Sequence, residues 1–144
     1  MATFNPIPRR AAVVLLTVVL ASCAKEPVTP PVYPSSGSVT FQKKPAQKAV
    51  VVLRPTAPDA PASVLPRGEV GADGKFRLST FTADDGAPAG EYAVTITWPE
   101  TKTDEAGDEV TKDRLKGRFN DPAKSQWKVQ IKEGNNEVGP FTIE

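Results

Sequence analysis

The sequence predicts an all-β protein, an antiparallel seven-stranded β-sandwich that follows an export signal and a proline-rich tether. Three observations favour this fold class. From Gly37 onward, the apolar residues are largely β-branched or aromatic and alternate with polar residues. The alternating segments are short, and clusters of Gly, Pro and Asp separate them. Seven short strands with turns at this spacing in a single domain fit an antiparallel β-sandwich better than a barrel or an α/β fold.

Seven segments alternate in this way, and each is predicted to form a strand. They span residues 38–41, 49–53, 68–70, 75–78, 91–98, 127–131 and 138–143. Segment 49–53 is a nearly continuous apolar run, as expected of a buried strand. Segment 91–98 is the clearest, because Tyr92, Val94 and Ile96 lie on one face. Asp73-Gly74 supplies a tight turn before segment 75–78.

The first 22 residues have the three parts of an export signal. A basic stretch ends at Arg9-Arg10, an apolar stretch follows as far as Leu20, and small residues come next. The apolar stretch is shorter than the ~20 residues that a membrane-spanning helix needs. We therefore expect a signal peptide over residues 1–22 and no transmembrane helix.

The end of this signal, Leu20-Ala21-Ser22-Cys23, closely resembles the lipobox of bacterial lipoproteins. The resemblance implies cleavage between Ser22 and Cys23 and lipidation of the Cys23 sulfur. The lipid would anchor the protein to a membrane without a protein span. Ala24 stands where an aspartate would favour the inner membrane, so the outer membrane is favoured. A free buried cysteine is the alternative to lipidation.

Residues 23–36 are predicted to be a lipidated N-terminus and a linker, and residues 37–144 the β-sandwich domain. Four prolines within residues 25–36 favour polyproline II, which is typical of a tether. An unstructured leader without a spacer role is the alternative. Cleavage after Ser22 would leave 16 basic and 17 acidic side chains. Because there is no basic excess, we expect no nucleic-acid partner.

Several stretches of the predicted domain carry a family resemblance. They are Gly37-Ser38-Val39-Thr40, Ala49-Val50-Val51-Val52-Leu53, Gly71-Ala72-Asp73-Gly74-Lys75-Phe76-Arg77-Leu78 and Pro88-Ala89-Gly90-Glu91-Tyr92-Ala93-Val94. Residues 37–98 thereby resemble the carboxypeptidase regulatory-like domains, which have a transthyretin-like (prealbumin-like) fold. The resemblance implies a seven-stranded sandwich with no activity of its own. Residues 113–122 with Ser125 resemble the C-terminal half of small bacterial lipoproteins that carry this domain.

The types of residue present restrict catalysis. The chain has no histidine and one cysteine, which excludes Ser-His-Asp and Cys-His machinery and most zinc sites if Cys23 is lipidated. We therefore expect no enzyme activity, no catalytic residue and no cofactor. A hydrolase that uses two carboxylates is the alternative. The carboxylates available to it are Glu91, Asp84, Asp85, Asp104, Glu105, Asp108 and Glu109.

Asp84-Asp85-Gly86 and Asp73-Gly74 are weak candidates for a metal site, which Asp121 or Glu91 could complete. Calcium takes about six to eight oxygen ligands, and two adjacent aspartates supply too few. The simpler interpretation is that both motifs form turns between strands. We therefore expect no metal, with Asp84 and Asp85 as the weak candidates.

Three cations are candidate ligand contacts near the C-terminal third of the chain. Arg114, Lys116 and Arg118 alternate along the sequence, which predicts an extended segment with the cations on one side. Such a segment could dock an anionic glycan or a protein. We favour the other interpretation, an edge strand that charge protects from aggregation.

Two tryptophans, Trp98 and Trp127, are further candidate ligand contacts, because aromatic faces can stack on sugar rings. Each stands at one end of an alternating apolar segment, so we favour a place in the core or at its rim. The polar residues 100–112 between them predict a solvated hairpin loop, with a recognition role as the alternative.

Together these features predict a lipid-anchored module of the cell envelope with a non-catalytic binding or structural role. The expected partners are the membrane, through Cys23, and an envelope protein or glycan. A carboxylate-dependent envelope hydrolase and a purely structural spacer are the alternatives.

Overall fold

The computed structural model describes residues 29–144. Within these residues every regular element is a strand except one 3₁₀ turn, Pro122–Lys124, so the predicted all-β fold is confirmed. The strands are β1 (Val32–Tyr33), β2 (Ser35–Phe41), β3 (Lys44–Pro45), β4 (Val50–Pro55), β5 (Arg67–Glu69), β6 (Lys75–Arg77), β7 (Ala87–Pro88), β8 (Gly90–Thr97), β9 (Pro99–Thr103), β10 (Glu109–Asp113), β11 (Lys128–Ile131) and β12 (Asn136–Ile143).

Most strands belong to two four-stranded sheets. The first sheet is antiparallel, in the order β11, β8, β4 and β5. In the second sheet β2 is central, pairing in parallel with β12 and antiparallel with β3 and β6. Strands β1 and β7 form a short ladder, and β9 and β10 form a hairpin. The described part of the chain is thus built from several largely antiparallel sheets.

Residues from both sheets form one hydrophobic core. In the first sheet Val51 pairs with Ile96 and Leu53 with Val94, so these four side chains share the buried face. The second sheet contributes alternate residues of β2 and β12 to the same cluster. Full burial of each such aliphatic side chain contributes about 1.5–3 kcal/mol of transfer free energy. The alternation in the sequence therefore identified the core correctly.

The seven predicted strands correspond to β2, β4, β5, β6, β8, β11 and β12, with ends that differ by up to three residues. Five further strands were not predicted. Strands β1, β3 and β7 have two residues each, and two of them contain proline, which is rare inside strands. Strands β1 and β7 pair with each other although they are distant in sequence, whereas β3 forms a tight hairpin with β2.

The first strands lie inside the segment that the sequence assigns to the linker. Val32–Tyr33 pairs with Ala87–Pro88, and β2 begins at Ser35, whose side chain is buried. The strands thus begin before the predicted boundary at Gly37. The predicted signal peptide, the lipidation site Cys23 and the first part of the linker lie outside the described residues. Among residues 29–144, no helix has the length and apolar character needed to cross a membrane.

The segment 114–119 forms turns, so the prediction of an extended edge strand there is wrong. Lys116 has a φ of 53°, in the left-handed region that an extended strand does not use. The Asp113 carboxylate stabilises the turns by accepting hydrogen bonds from the amides of Leu115 (3.0 Å) and Gly117 (2.9 Å). The three cations therefore do not lie along one side of a strand.

Candidate functional site

A large groove in the described part of the chain lies where β5 and β6 approach each other. We call it the β5–β6 groove; its volume is about 1180 Å³ and it opens to solvent. Its lining residues are Ser36, Gly37, Ser38, Val50, Arg67, Gly68, Glu69, Gly71, Asp73, Lys75, Phe76, Arg77, Ser79, Asp84 and Glu137. Charged residues and hydroxyls thus dominate a site that the sequence did not identify.

The groove exists because the edges of the two sheets meet at one point. Strand β5 is the edge of the first sheet, and β6 pairs only with β2 in the second. Arg67 and Ser79 join them through two backbone hydrogen bonds of 3.0 and 2.8 Å. Beyond this bridge no further ladder connects β5 to β6, although Gly68 still lies against the Arg77 carbonyl.

Alternation along both strands directs the charges into solvent. In β5 the buried Gly68 separates exposed Arg67 and Glu69. In β6 the buried Phe76 separates exposed Lys75 and Arg77. Because successive side chains point to opposite faces of a strand, four charged side chains border the groove while the core lies behind them.

Two glycines make the floor of the groove possible. A Cβ at Gly68 would collide with the carbonyl oxygen of Arg77 and lie 3.0 Å from the Phe76 ring. A Cβ at Gly37 would collide with the carbonyl oxygen of Val138 and lie 2.7 Å from the same ring. The Phe76 ring, which stacks on Phe141 at 6.3 Å, therefore packs directly against bare backbone.

The charges in the groove are available to a ligand. It contains three cations, Arg67, Lys75 and Arg77, and four carboxylates, from Glu69, Asp73, Asp84 and Glu137. All seven side chains are exposed. None forms an ion pair within 4.0 Å, since the ion pairs of residues 29–144 are Lys102–Glu100 and Lys124–Asp121. A polar ligand would thus displace water and no internal salt bridge.

The weak metal candidates Asp84 and Asp85 lie in a turn beside the groove. The Asp85 carboxylate accepts hydrogen bonds from the amides of Thr80 (2.6 Å), Phe81 (2.9 Å) and Thr82 (2.9 Å). Partial desolvation acts to raise the pKa of Asp85, but these amide bonds lower it below its ordinary value. In the part of the chain that the structure describes, no three acidic residues cluster as metal ligands would.

Trp98 lies in the core, as its place at the end of an alternating apolar segment predicts, with 7% of its surface exposed. Its indole N–H donates a 2.9 Å hydrogen bond to the carbonyl of Gln47, and Phe41 meets the ring edge-on at 5.4 Å. The guanidinium carbon of Arg114 lies 3.9 Å from the ring centroid. The structure thus brings the candidate contacts Trp98 and Arg114 together, but each already packs against the other.

Trp127 is half-buried within a second aromatic group. Its ring centroid lies 5.3 Å from Phe119 and 5.5 Å from Phe141. Arg118 covers Phe119 at 5.1 Å, whereas Lys116 is exposed and makes no such contact. None of the five candidate contacts lines the β5–β6 groove.

The carboxylates considered for a hydrolase are dispersed over the molecule. Asp104 caps the tip of the β9–β10 hairpin through the amides of Ala106 and Asp108. Glu91 borders a smaller groove of about 230 Å³ between β8 and β11. Asp84, by contrast, lies beside the β5–β6 groove. The carboxylates considered for a hydrolase therefore do not lie together in one site.

Comparisons with known proteins give only remote likenesses. No family model and no curated protein matches the chain. A 9R-lipoxygenase from Cyanothece has a TM-score of 0.45 at 14% identity over 78% of this chain, which spans 16% of that enzyme. A proposed carbohydrate-binding protein of Pseudomonas aeruginosa has a TM-score of 0.39 at 12% identity, over 81% of this chain and 91% of that protein.

Proposed function

We propose that this protein is a lipid-anchored β-sandwich module of the cell envelope with a non-catalytic binding role. Its binding surface is the β5–β6 groove. The observation that carries the proposal is the set of seven exposed charges in one groove of about 1180 Å³, none of them held in an internal ion pair. Exposed guanidinium groups bind carboxylates and other planar anions in two-pronged hydrogen bonds.

The sandwich architecture is supported by two features of the fold. Two four-stranded sheets share one core, as the two layers of a sandwich do. The hydroxyl of Tyr92 donates a 2.9 Å hydrogen bond to the carbonyl of Pro88, four residues upstream. This arrangement matches the tyrosine corner of Greek-key sandwiches. We assign the seven strands that the sequence predicts to a transthyretin-like sandwich, with β1, β3, β7 and the β9–β10 hairpin as additions.

The anchor is proposed from the N-terminal sequence, with Cys23 as the lipidated residue and the outer membrane as its location. A Cys23→Ser variant tests this. We expect it to leave the membrane fraction or to accumulate with the signal uncleaved. Membrane association and processing identical to those of the unchanged chain would contradict the anchor.

The groove favours a protein partner over a glycan. Sugar sites commonly present an aromatic face, but the one aromatic residue at this groove, Phe76, is 3% exposed. Trp98 and Trp127 are engaged in packing elsewhere. The open groove suits an extended polypeptide, whose side chains can meet the exposed charges along β5 and β6.

The carboxylate-dependent hydrolase has weaker support. Four carboxylates border the groove, yet each is exposed. A glycosidase distinguishes its acid from its base by placing them in different environments, usually with one in an apolar pocket. A structural spacer would have no use for the groove, and loss of the groove charges would then leave function intact.

The experiment is a pull-down from envelope extract with the purified chain, alongside a glycan array. We expect specific recovery of an envelope protein in the pull-down and no signal on the array. Strong array signals with no protein recovered would make the partner a glycan. Clean negatives from both would contradict the binding role.

A further inference from the structure

The β9–β10 hairpin has two unpartnered edges. Within the described residues its strands pair with each other and with no other strand. None of the residues of β9 or β10 is buried. An isolated two-stranded hairpin is marginally stable in water, and an open edge is a template for another strand.

The backbone hydrogen bonds define which groups the free edge of β9 presents. The amide of Arg114 bonds to the carbonyl of Trp98 at 2.8 Å, and the amide of Asp104 bonds to the carbonyl of Asp108 at 2.9 Å. Hydrogen-bonded pairs alternate along an antiparallel ladder. The even-numbered residues therefore face β10, and the backbone groups of Pro99, Thr101 and Thr103 point outward.

This edge is complementary to a second copy of itself. In an antiparallel pair of β9 strands related by a two-fold axis at Thr101, Glu100 of each copy lies opposite Lys102 of the other copy. The two Thr101 residues exchange N–H···O=C bonds, and each Thr103 amide meets the Pro99 carbonyl of the other copy. Pro99 has no N–H, so the Thr103 carbonyl of the other copy is left without a ladder hydrogen bond at each end of the pair. Opposite charges directly across a ladder are stabilising.

The other edge of the hairpin lacks this complementarity. An antiparallel pair of β10 strands related by a two-fold axis at Thr111 would place Glu109 of each copy opposite Asp113 of the other copy. The two like-charge pairs that result are destabilising. Glu100 and Lys102 already form a 2.9 Å ion pair within each copy, so pairing of two β9 edges brings two such ion pairs together with alternating signs. Pairing of two β10 edges brings like charges together, so charge favours β9 over β10 for association with a second copy.

We propose that the β9 edge is a homodimer interface, in which two copies pair antiparallel about Thr101 to make a four-stranded sheet. A closed two-fold interface of this kind pairs the β9 edges of the two copies with each other and does not propagate into a fibre. The β5–β6 groove lies on other strands, so the dimer is independent of the binding role.

Two matched variants test the interface, each made in the predicted mature chain with Cys23→Ser. Thr101→Pro removes an outward amide from the β9 edge, and Thr111→Pro removes the equivalent amide from the β10 edge. Both lose the 2.8 Å hydrogen bond between the Thr101 and Thr111 hydroxyls, so the cost to the hairpin is matched. Sedimentation velocity measures the dimer, and circular dichroism checks the fold.

We expect a concentration-dependent dimer that Thr101→Pro weakens by about tenfold or more and that Thr111→Pro leaves nearly unchanged. Lys102→Glu should also weaken the dimer, and the swap Glu100→Lys with Lys102→Glu should restore it. A chain that stays monomeric up to about 1 mM would overturn the proposal. Equal loss in both proline variants, or no recovery in the charge swap, would also overturn it.

Discussion

The guanidinium carbon of Arg114 lies 3.9 Å from the centroid of the Trp98 ring. The two residues are sixteen positions apart, and the β9–β10 hairpin brings them together, with a 2.8 Å hydrogen bond from the Arg114 amide to the Trp98 carbonyl. Two side chains that are separate candidate ligand contacts in the sequence therefore form one packing unit. This is the main reason why the β5–β6 groove, and not the tryptophans, is the proposed binding surface.

Replacing Arg114 with Ala should uncover the Trp98 ring. In a Trp127→Phe background we expect Trp98 fluorescence to shift to the red and to be quenched more readily by acrylamide. The free energy of unfolding should fall by about 0.5–1 kcal/mol, the usual size of an exposed cation–π contact. Arg118→Ala is the control, because Arg118 covers Phe119 instead. Unchanged quenching in the Arg114 variant would contradict this packing.

Asp113 should be important for the stability of the turns after β10. Its carboxylate accepts hydrogen bonds from the amides of Trp98 (2.8 Å), Leu115 and Gly117. Asp113→Ala leaves these amides without their acceptor, and we expect a loss of about 2 kcal/mol in denaturant unfolding. Asp108→Ala in the exposed hairpin loop should cost little. A similar, small effect for both variants would refute this role of Asp113.

Much of the fold could be predicted from the sequence because the alternation of apolar and polar residues indicates which side chains are buried. Val51, Leu53, Val94 and Ile96 lie in the core as their spacing predicts. The segment 114–119 also alternates, yet it forms turns, because the Asp113 carboxylate provides hydrogen bonds that the apolar pattern does not reveal. The alternation thus gives a wrong strand prediction where hydrogen bonds to a nearby side chain stabilise a turn.

Gly68 should tolerate no side chain. A Cβ there would collide with the Arg77 carbonyl and press on the Phe76 ring, so Gly68→Ala should lower the free energy of unfolding by about 1–3 kcal/mol. Gly71→Ala is the matched control, since its nearest neighbour is the flexible Asp73 carboxylate at 3.2 Å. Chemical denaturation compares the two. A Gly68 variant as stable as the control would contradict the close packing at the groove floor.

Asp85 should make stability depend on pH in the acid range. Because the folded state lowers the pKa of Asp85, its contribution is present above about pH 4, the unfolded value, and is lost as pH falls through the folded pKa. We expect Asp85→Asn to cost about 1 kcal/mol at neutral pH, as loss of a cap does, and progressively less below about pH 4. Thermal unfolding across this range, with Asp59→Asn as control, measures it. A cost independent of pH would exclude this role.

The groove could not be predicted from the sequence. The pattern of one buried residue between two charged residues occurs in both β5 and β6, and it is the one local sign of the site. That the two edges meet depends on the bridge between Arg67 and Ser79, and on two glycines that admit the Phe76 ring. These contacts join residues that are distant in sequence, so a single-sequence pattern does not contain them.

The most direct test of the binding role is a quantitative pull-down with the groove cations removed. The double variant Arg67→Ala with Arg77→Ala should lose at least about tenfold of the recovered envelope partner, since two charge-assisted contacts disappear. Lys43→Ala with Lys132→Ala removes two exposed cations outside the groove and should recover as much partner as the unchanged chain. Equal recovery by both double variants would contradict the groove as the binding surface.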